Sequence, residues 1–486
     1  MMKKTAILAL STVLASQLMG AEDLSEMLKE GKAGGFVRLH HIVEGLTQPG
    51  IAYTGTVVAG KLKYQTGALH GLRFGAALYT VHDTSLTSRE KIATQELAGG
   101  ILGNNFGSYS TLGEAYANYH LSNTDITYGR QEFKTPMTES PVTFVPNLFE
   151  GTVATIKELP NTTITAAHIT KMQYGTRSLT ERNLIGDEIY GITTGVGITA
   201  GTTEGGLHRF WGKEQFQDMG LAMFGRNANG TQRVDSAGVT SLGIDYKSGD
   251  FKARVWDYYA HEMYNTIYAD TEYKMDVGGA KVTLAAQALK QDDVGDFQNG
   301  FGGAALRGDL NATRLTIYGT GPTARTYTTK ISADGSIDAL FWGAKAKAEI
   351  GDLTLEAAFN KNEDGHVINT WGGDPGFTST IFSRNEFRAD TTAYKLGLEY
   401  NLQSFVPGLK FIYNHAGYDS DVQTWTPNTN TPAGVRRELT RVHDYVLHYA
   451  VPSVKGLWFR LFHVDRYSAT KEYQQGHTRL VANLSF

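Results

Sequence analysis

Apolar and polar residues alternate one by one in many short segments of this 486-residue chain, and this period of two restricts its fold more than any other feature. In the last ten residues, Thr478, Leu480, Ala482, Leu484 and Phe486 share one face. Successive side chains of a β-strand point to opposite faces, so the pattern predicts a strand with one apolar face. The same alternation predicts eighteen strands, at 36–43, 56–65, 71–81, 113–121, 125–133, 151–158, 162–169, 239–248, 250–261, 266–276, 280–290, 339–350, 352–361, 391–401, 408–417, 441–451, 456–467 and 477–486.

Short and long connections alternate between these strands. Gly351-Asp352 and Gly278-Gly279 supply the backbone angles of hairpin turns. The connections at the other end are longer, at 82–112, 134–150, 170–238, 291–338, 362–390 and 418–440. An even number of strands of about 9–11 residues, with one set of short turns, is typical of a barrel that bonds every backbone group within a bilayer.

We therefore predict an all-β fold, an 18-stranded antiparallel transmembrane β-barrel with short periplasmic turns and long extracellular loops. A soluble β-sandwich has the same period, but its apolar faces point inward. The one-sided loop lengths, the terminal Phe486 and the N-terminus favour the barrel.

The N-terminus has the features of a secretory signal peptide. Lys3 and Lys4 precede an apolar stretch at 6–15, and the small residues Gly20 and Ala21 offer a cleavage point. The alternative is a buried N-terminal helix. We predict a signal peptide at 1–21, a single barrel domain at 22–486 and a location in the bacterial outer membrane.

Composition and motifs argue against several functions. A formal net charge of −4 does not fit a strongly basic nucleic-acid-binding surface, and the absence of cysteine excludes a thiolate metal site. No Gly-x-Ser-x-Gly sequence occurs, and the zinc-protease-like start at His261-Glu262 has Asn265 in place of its second histidine. We expect no enzyme activity, no cofactor, no metal and no nucleic-acid partner.

The inward faces of the predicted strands hold more basic than acidic residues. The surplus falls on the twelfth to eighteenth and the first to third strands, which become contiguous when the barrel closes. A cationic wall in a narrow channel concentrates anions. Alternatively, these charges only hydrate the lumen and pair with acids, as Lys347 would with Glu349. Besides Lys61 and Lys63, the predicted basic wall consists of Arg38, Arg73, Lys345, Lys347, Lys395, Lys410, Arg460 and Arg479.

The loop at 134–150 is the predicted constriction of the pore. Its three prolines restrict the backbone, and a stiff loop that folds inward can set the pore width. An ordinary surface loop is the alternative. The residues that we expect to line the constriction are Lys134, Pro136, Glu139, Pro146, Phe149 and Glu150.

Several segments resemble the OprD-type porins of the Gram-negative outer membrane, in the Opr family porin branch. The matching segments are 24–39 (LSEMLKEGKAGGFVRL), 112–116 (LGEAY), 129–131 (GRQ), 135–136 (TP), 145–151 (VPNLFEG), 255–259 (VWDYY), 371–378 (WGGDPGFT) and 483–486 (NLSF). The resemblance implies an 18-stranded barrel, a loop folded into the pore, and uptake of small carboxylates or amino acids past a basic wall. It also implies that the barrel-assembly machinery recognises the end of the chain through Phe486.

We predict an outer-membrane porin, a passive diffusion channel for small anionic or zwitterionic solutes. Its expected partners are outer-membrane lipid and lipopolysaccharide, small-molecule solutes, the barrel-assembly machinery and further copies in a homotrimer. One alternative is a general-diffusion major outer-membrane protein with a structural or adhesive role. Another is a barrel enzyme.

Overall fold

A closed antiparallel barrel forms the body of the protein. The computed structural model describes residues 21–46, 51–84, 102, 107–139, 144–176, 214–224, 232, 234–295, 313–318, 325–329, 337–363, 365, 367–368, 371, 373, 375–381, 385–388, 390–425, 432–468 and 474–486. Within these residues eighteen strands form the barrel: β1 Lys32–Leu46, β2 Ile51–Gln65, β3 Leu72–Asp83, β4 Tyr109–Leu121, β5 Thr124–Gln131, β6 Leu148–Ile156, β7 Thr162–Gln173, β8 Val239–Ser248, β9 Phe251–Ala260, β10 Tyr264–Val277, β11 Ala280–Asp293, β12 Asp338–Ile350, β13 Leu353–Asn362, β14 Thr391–Asn401, β15 Leu409–Trp425, β16 Pro432–Ala450, β17 Leu457–Ser468 and β18 Gln474–Ser485. All eighteen predicted strands are confirmed.

Each strand pairs with the next, and the first pairs with the last. The β1–β18 ladder runs from Phe36 opposite Ser485 to Leu46 opposite Gln475. Three shorter strands lie outside this ring, at Gln217–Asp218, Thr313–Tyr318 and Arg325–Thr329. The last two pair with each other, and Thr328 lies opposite Gln423 of β15.

The outer face of the barrel is apolar. On β18, Leu480 and Leu484 are exposed, whereas Arg479 and Asn483, which alternate with them, are buried on the inner face. The same arrangement holds on β1, where Val37 is exposed outside and His40 is buried inside. This is the reverse of a soluble sandwich and fits a barrel in contact with lipid.

Among the described residues, no helix is long and apolar enough to cross a membrane.

The prediction of a long loop at 418–440 is wrong. Strand β15 continues to Trp425 and β16 begins at Pro432, so most of this segment is an extended hairpin. Its ladder places Tyr418 opposite Thr440, and both side chains are buried. Arg437 also bonds Asp419 at 2.9 Å across the two strands. Because charged residues interrupt the apolar pattern here, the alternation alone did not reveal these strands.

In the described part of the chain, helical structure is confined to short pieces. Helix α1 spans Leu24–Lys29, helix α2 spans Met219–Phe224, and a 3-10 turn spans Asn385–Phe387. The Asp23 side chain caps α1 by accepting a hydrogen bond from the Glu26 amide at 2.8 Å. Buried Met27 fixes α1 to the turn before β3, because its carbonyl accepts from the Gly67 amide at 2.8 Å. Apart from Ala21, the predicted signal peptide lies outside the described residues.

Gly129 gives a test of the barrel geometry. Its φ is +123°, and a Cβ atom there would lie 2.4 Å from the Ala115 carbonyl oxygen. We expect Gly129→Ala to destabilise the barrel by about 1–3 kcal/mol, the usual cost of a strained backbone position. The measurement is the unfolding temperature of the purified barrel in detergent. Gly249→Asn is the control, because Gly249 has φ +55° and open space around it. Equal melting of both variants would contradict this account.

Candidate functional site in the barrel lumen

The described residues of the segment between β5 and β6, 132–139 and 144–147, lie inside the barrel. The ring of Phe133 packs edge-on against Trp256 of β9, with centroids 6.3 Å apart. Phe144 packs against His40 of β1 at 3.7 Å. Since β1 and β9 lie on opposite sides of the β5–β6 pair around the ring, the segment reaches across the lumen.

The described residues of a second segment, 371, 373, 375–381 and 385–388, also lie inside the barrel, although the sequence analysis assigned this segment no role in the pore. At one end, the Trp371 indole donates to the Tyr264 hydroxyl of β10 at 3.1 Å. At the other end, the Ile381 amide donates to Asp444 of β16 at 3.0 Å. Thr378, between them, accepts through its carbonyl from Tyr418 of β15 at 2.7 Å. The only sequence signal for this segment was the family match at 371–378.

Asn147 joins the two infolded segments. Its amide nitrogen donates to the Trp371 carbonyl, and its amide oxygen accepts from the Gly175 amide at 2.8 Å. Only glycine fits at 175, because a Cβ atom there would lie 2.1 Å from the Val145 carbonyl oxygen. The Gly373 amide also donates to the Met137 carbonyl at 2.9 Å. The two segments are therefore locked to each other and to the wall.

An apolar core fills one side of the lumen. It packs the infolded segments against the inner faces of β6 to β12, and it includes Phe133, Met137, Phe149, Met172, Tyr258, Phe341 and Trp371. Burial of this apolar surface stabilises the infolded segments. The opposite side of the interior carries most of the predicted basic wall.

Three arginines lie at successive levels of the wall where the barrel closes. Arg38 of β1 is opposite Asn483 of β18, and its Nε donates to the Asn483 side chain at 2.9 Å. Arg460 of β17 lies opposite Val481 of β18. Arg479 also belongs to β18 and lies two residues before Val481. Inward residues two apart on a strand are separated by about 6.6–6.8 Å. The three guanidinium groups therefore form a ladder along the lumen.

Aromatic and imidazole groups surround these arginines. The Arg460 guanidinium lies 5.2 Å from the centre of the Trp458 ring, and Arg479 bonds the His477 ring at 3.1 Å. His40, which lies opposite Val481, is buried and was not among the predicted site residues. Neither ring nitrogen of His40, nor Nε of Arg460, has a hydrogen-bond partner among the described residues.

The lysines of the predicted wall are mostly ion-paired. Lys347 lies 2.7 Å from Glu349, Lys395 lies 2.9 Å from Glu356, and Lys410 lies 2.6 Å from Glu399. For these three lysines, the structure fits the alternative in which lumen charges pair with acids.

Three other cations of the wall have no such ion pair with a described residue. The Lys345 ammonium lies 4.7 Å from the centre of the Phe377 ring of the second infolded segment. Lys345, Arg73 and Arg460 have no carboxylate within ion-pair distance in the described part of the chain. These three side chains therefore bring positive charge to the lumen that no described carboxylate balances.

The predicted constriction residues take different positions. Lys134 has 67% of its side chain exposed, 3.1 Å from Glu132, and Glu139 is also exposed. Pro136 is buried and Pro146 is half-buried. Whether these residues control passage stays a prediction.

Phe149 and Glu150 belong to β6 and not to the loop. Phe149 points inward and is fully buried, whereas alternation turns Glu150 to the other face. There Glu150 bonds Arg130 at 2.9 Å and lies 3.9 Å from Lys171. The structure therefore does not bring Glu150 together with the other residues of the predicted constriction.

A charged network that the sequence analysis did not identify lies where segment 132–147 leaves β5. Its members are Lys61, Lys63, Tyr79, Glu114 and Glu132. Burial acts to raise the pKa of Glu132, but the charge and hydrogen bond of Lys61, with help from Lys134 and Tyr79, outweigh it and lower the pKa to about 2. Glu132 is thus ionised at neutral pH.

Across the residues that the structure describes, no group of three or more histidine or carboxylate side chains could hold a metal ion.

Solved porins share this architecture. OpdK of Pseudomonas aeruginosa, solved with vanillate, superposes with a TM-score of 0.66 at 14% identity, over 95% of this chain and 99% of that chain. OccK8 (OprE) of the same species gives 0.64 at 17% identity, over 95% and 99%. OccAB4 of Acinetobacter baumannii gives 0.65 at 13% identity, over 94% and 98%. No protein-family model and no curated protein matches the sequence.

The chain has the fold of the OprD/OccK-type porins. The predicted resemblance is therefore confirmed at the level of the fold. The closed barrel and its apolar outer face are those of a bacterial outer-membrane protein, as the sequence analysis predicts.

Asn147 gives a test of how the infolded segments are held. Asn147→Leu keeps the side-chain volume but leaves the Trp371 carbonyl and the Gly175 amide without their partner. A buried polar group without a partner costs about 1–3 kcal/mol. We expect limited proteolysis to cut within 132–147 at lower protease concentration, while the barrel stays folded in gel-shift assays.

Asn414→Leu is the matched control for that experiment. Asn414 faces the lumen, and no side-chain hydrogen bond joins it to another described residue. Cleavage that is equal in both variants would show that Asn147 does not hold the segment.

Proposed function

We propose that this protein is a passive channel for small anionic solutes, such as carboxylates, and for zwitterionic amino acids. The observation that carries the proposal is the ladder of Arg38, Arg460 and Arg479 along one side of the lumen. At its middle level, the buried nitrogens of His40 and Arg460 have no hydrogen-bond partner among the described residues. A passing anion can supply the missing acceptor.

The physical basis is weak binding at several sites in sequence. A guanidinium group can form two parallel hydrogen bonds to a carboxylate. A solute passes efficiently when it binds well enough to enter and weakly enough to leave, and three steps spaced along the wall fit that requirement. OpdK, which shares the fold, was solved with vanillate, a carboxylate. This likeness supports the proposed solute class.

The constriction forms part of the proposal. Segment 132–147, together with the second infolded segment, narrows the lumen and directs solutes towards the basic side. The largest apolar core occupies the side of β6 to β12, and on the closure side the guanidinium groups of the ladder can offer a charged solute hydrogen bonds in place of water. Passage requires no chemical reaction, so we propose a channel and not an enzyme.

The proposed partners follow from the outer surface and the chain end. Outer-membrane lipid and lipopolysaccharide cover the apolar outer face. Phe486, with 64% of its surface exposed, is available to the barrel-assembly machinery while its amide and carbonyl pair with Gly35. The homotrimer stays a prediction.

Planar-bilayer recording tests the proposal. The purified protein should form ion-conducting pores with anion preference. Replacing Arg38, Arg460 and Arg479 by Gln removes three positive charges from one wall. Coulomb attraction between close charges at an effective dielectric of ~20 is about 4 kcal/mol before desolvation and screening, and a small part of it changes relative permeability. We therefore expect the reversal potential in a salt gradient to move towards cation preference.

A paired variant controls for charge removal elsewhere in the lumen. Lys252→Gln with Glu272→Gln removes an ion pair of 3.0 Å on β9 and β10 without changing the net charge. We expect this variant to keep the original reversal potential. If the triple arginine variant also keeps it at low salt, the ladder does not select anions.

A further inference from the structure

We propose that Lys61 is a positioning residue that holds the infolded segment 132–147 to the wall of β2 to β4 through Glu132. This inference rests on the proposed function, because it assigns a mechanical anchor to the proposed constriction. It also separates Lys61 from the other cations of the basic wall, with which the sequence analysis grouped it.

The contacts place Lys61 between the wall and the segment. Glu132 is the first residue after β5, and its Oε1 lies 2.7 Å from the Lys61 ammonium. The same ammonium lies 2.7 Å from Oε1 of Glu114 on β4. One cation of β2 therefore bridges a carboxylate of the wall and a carboxylate of the segment.

Tyr79 repeats the bridge from β3. Its hydroxyl lies 2.7 Å from Oε1 of Glu114 and 2.9 Å from Oε1 of Glu132. The Lys61 ammonium also lies 4.9 Å from the centre of the Tyr79 ring. Three adjacent strands thus converge on the point where the segment enters the lumen.

The local charge explains why Lys61 is available for positioning and not for solute binding. Lys63 bonds the second oxygen of Glu114 at 2.6 Å, so two lysines of the wall face two carboxylates. The Glu114 side chain is only 2% exposed and that of Lys61 only 15%. A buried cation whose charge is balanced in this way adds little to the field felt by a passing anion.

The opposite end of the segment is held differently. Asn147 uses neutral hydrogen bonds to Gly175 and Trp371. In the described residues of 132–147, the Glu132–Lys61 contact is the ion pair that connects the segment to the wall. Loss of this pair should therefore loosen the β5 end while the Asn147 end remains attached.

The pH dependence of channel opening provides a readout that a purely structural effect would not produce. The groups around Glu132 are Lys61, Tyr79 and Glu114 from the wall and Lys134 from the segment. The pKa of Glu132 lies below its ordinary value, so the contact contributes stability above that value and loses it as the pH falls towards about 2. In the unmodified protein, the segment should therefore stay attached to the wall at mildly acid pH.

The experiment is single-channel recording of Lys61→Met from neutral pH to about pH 4, near the ordinary carboxyl pKa. We expect brief openings to a higher conductance to become at least about tenfold more frequent at neutral pH, which corresponds to about 1.4 kcal/mol. Because the pKa of Glu132 rises without Lys61, the frequency should increase again towards pH 4. Lys61→Arg, which keeps the bridging charge, should restore the unmodified pattern.

Two further variants complete the test. Glu132→Gln breaks the same contact but leaves the buried Lys61–Glu114 pair in place, so it should produce the same openings even if Lys61→Met folds poorly. Lys252→Met is the control, since it removes a lumen lysine whose ion pair, among the residues that the structure describes, is with Glu272. If Lys61→Met and Glu132→Gln both leave the frequency of these openings unchanged while the protein still conducts anions, this inference would be overturned and the proposed function would stand. If the unmodified protein formed no pores, the proposed function itself would fail.

Discussion

Backbone pairing between β1 and β18 is the interaction on which the rest of the structure depends. A strand edge in lipid leaves backbone groups without partners, and no water is present to satisfy them. The continuous ladder from Phe36–Ser485 to Leu46–Gln475 removes that edge. Closure also fixes which residues become neighbours, because Arg38 and Asn483 come from opposite ends of the chain and meet only at this seam.

The largest apolar cluster of the interior and most of the inward cations lie on different sides. Towards β6 to β12, apolar side chains of the wall bury those of the two infolded segments. On the closure side, arginines, histidines and paired lysines stand beside smaller apolar clusters, one of which includes Phe462 and Val481. Segments that cross a lumen need both conditions, because apolar burial holds them in place and a path for charged solutes beside them must offer polar groups. The ion pairs at Lys347, Lys395 and Lys410 neutralise part of the positive charge on this side and do not involve the arginines.

The strands could be predicted from the sequence because their pattern is local. A period of two is visible within ten residues, and the structure confirms all eighteen strands that this period predicts. The β15–β16 extension was missed because Asp419 and Arg437 obscure the alternation, although their ion pair stabilises that hairpin. The infolding of 371–388 and the Glu132–Lys61 contact depend on residues that are far apart in the chain. No spacing rule connects Asn147 with Trp371, and only the folded barrel brings them together.

Alternation also explains why Glu150 does not lie with the other residues of the predicted constriction. The sequence analysis treated 134–150 as one loop and so grouped Phe149 with Glu150. Once β6 begins at Leu148, neighbours must face opposite sides of the strand, and Glu150 bonds Arg130 on the face opposite Phe149. The inward direction of the cations was easier to predict, because it required only the parity of strands whose alternation is clear, whereas their role as a basic wall stays a prediction. Parity could not predict which of the lysines form ion pairs with carboxylates.

The central claim, that one side of the lumen selects anions, is tested most directly by the reversal potential of the unmodified channel. The measurement uses a potassium chloride gradient at low salt, where the Debye length is about 10 Å at 0.1 M. The account predicts preference for chloride, and it predicts that the preference weakens as the salt is raised and the arginines are screened. A channel that prefers potassium, or that shows no preference at low salt, would contradict it.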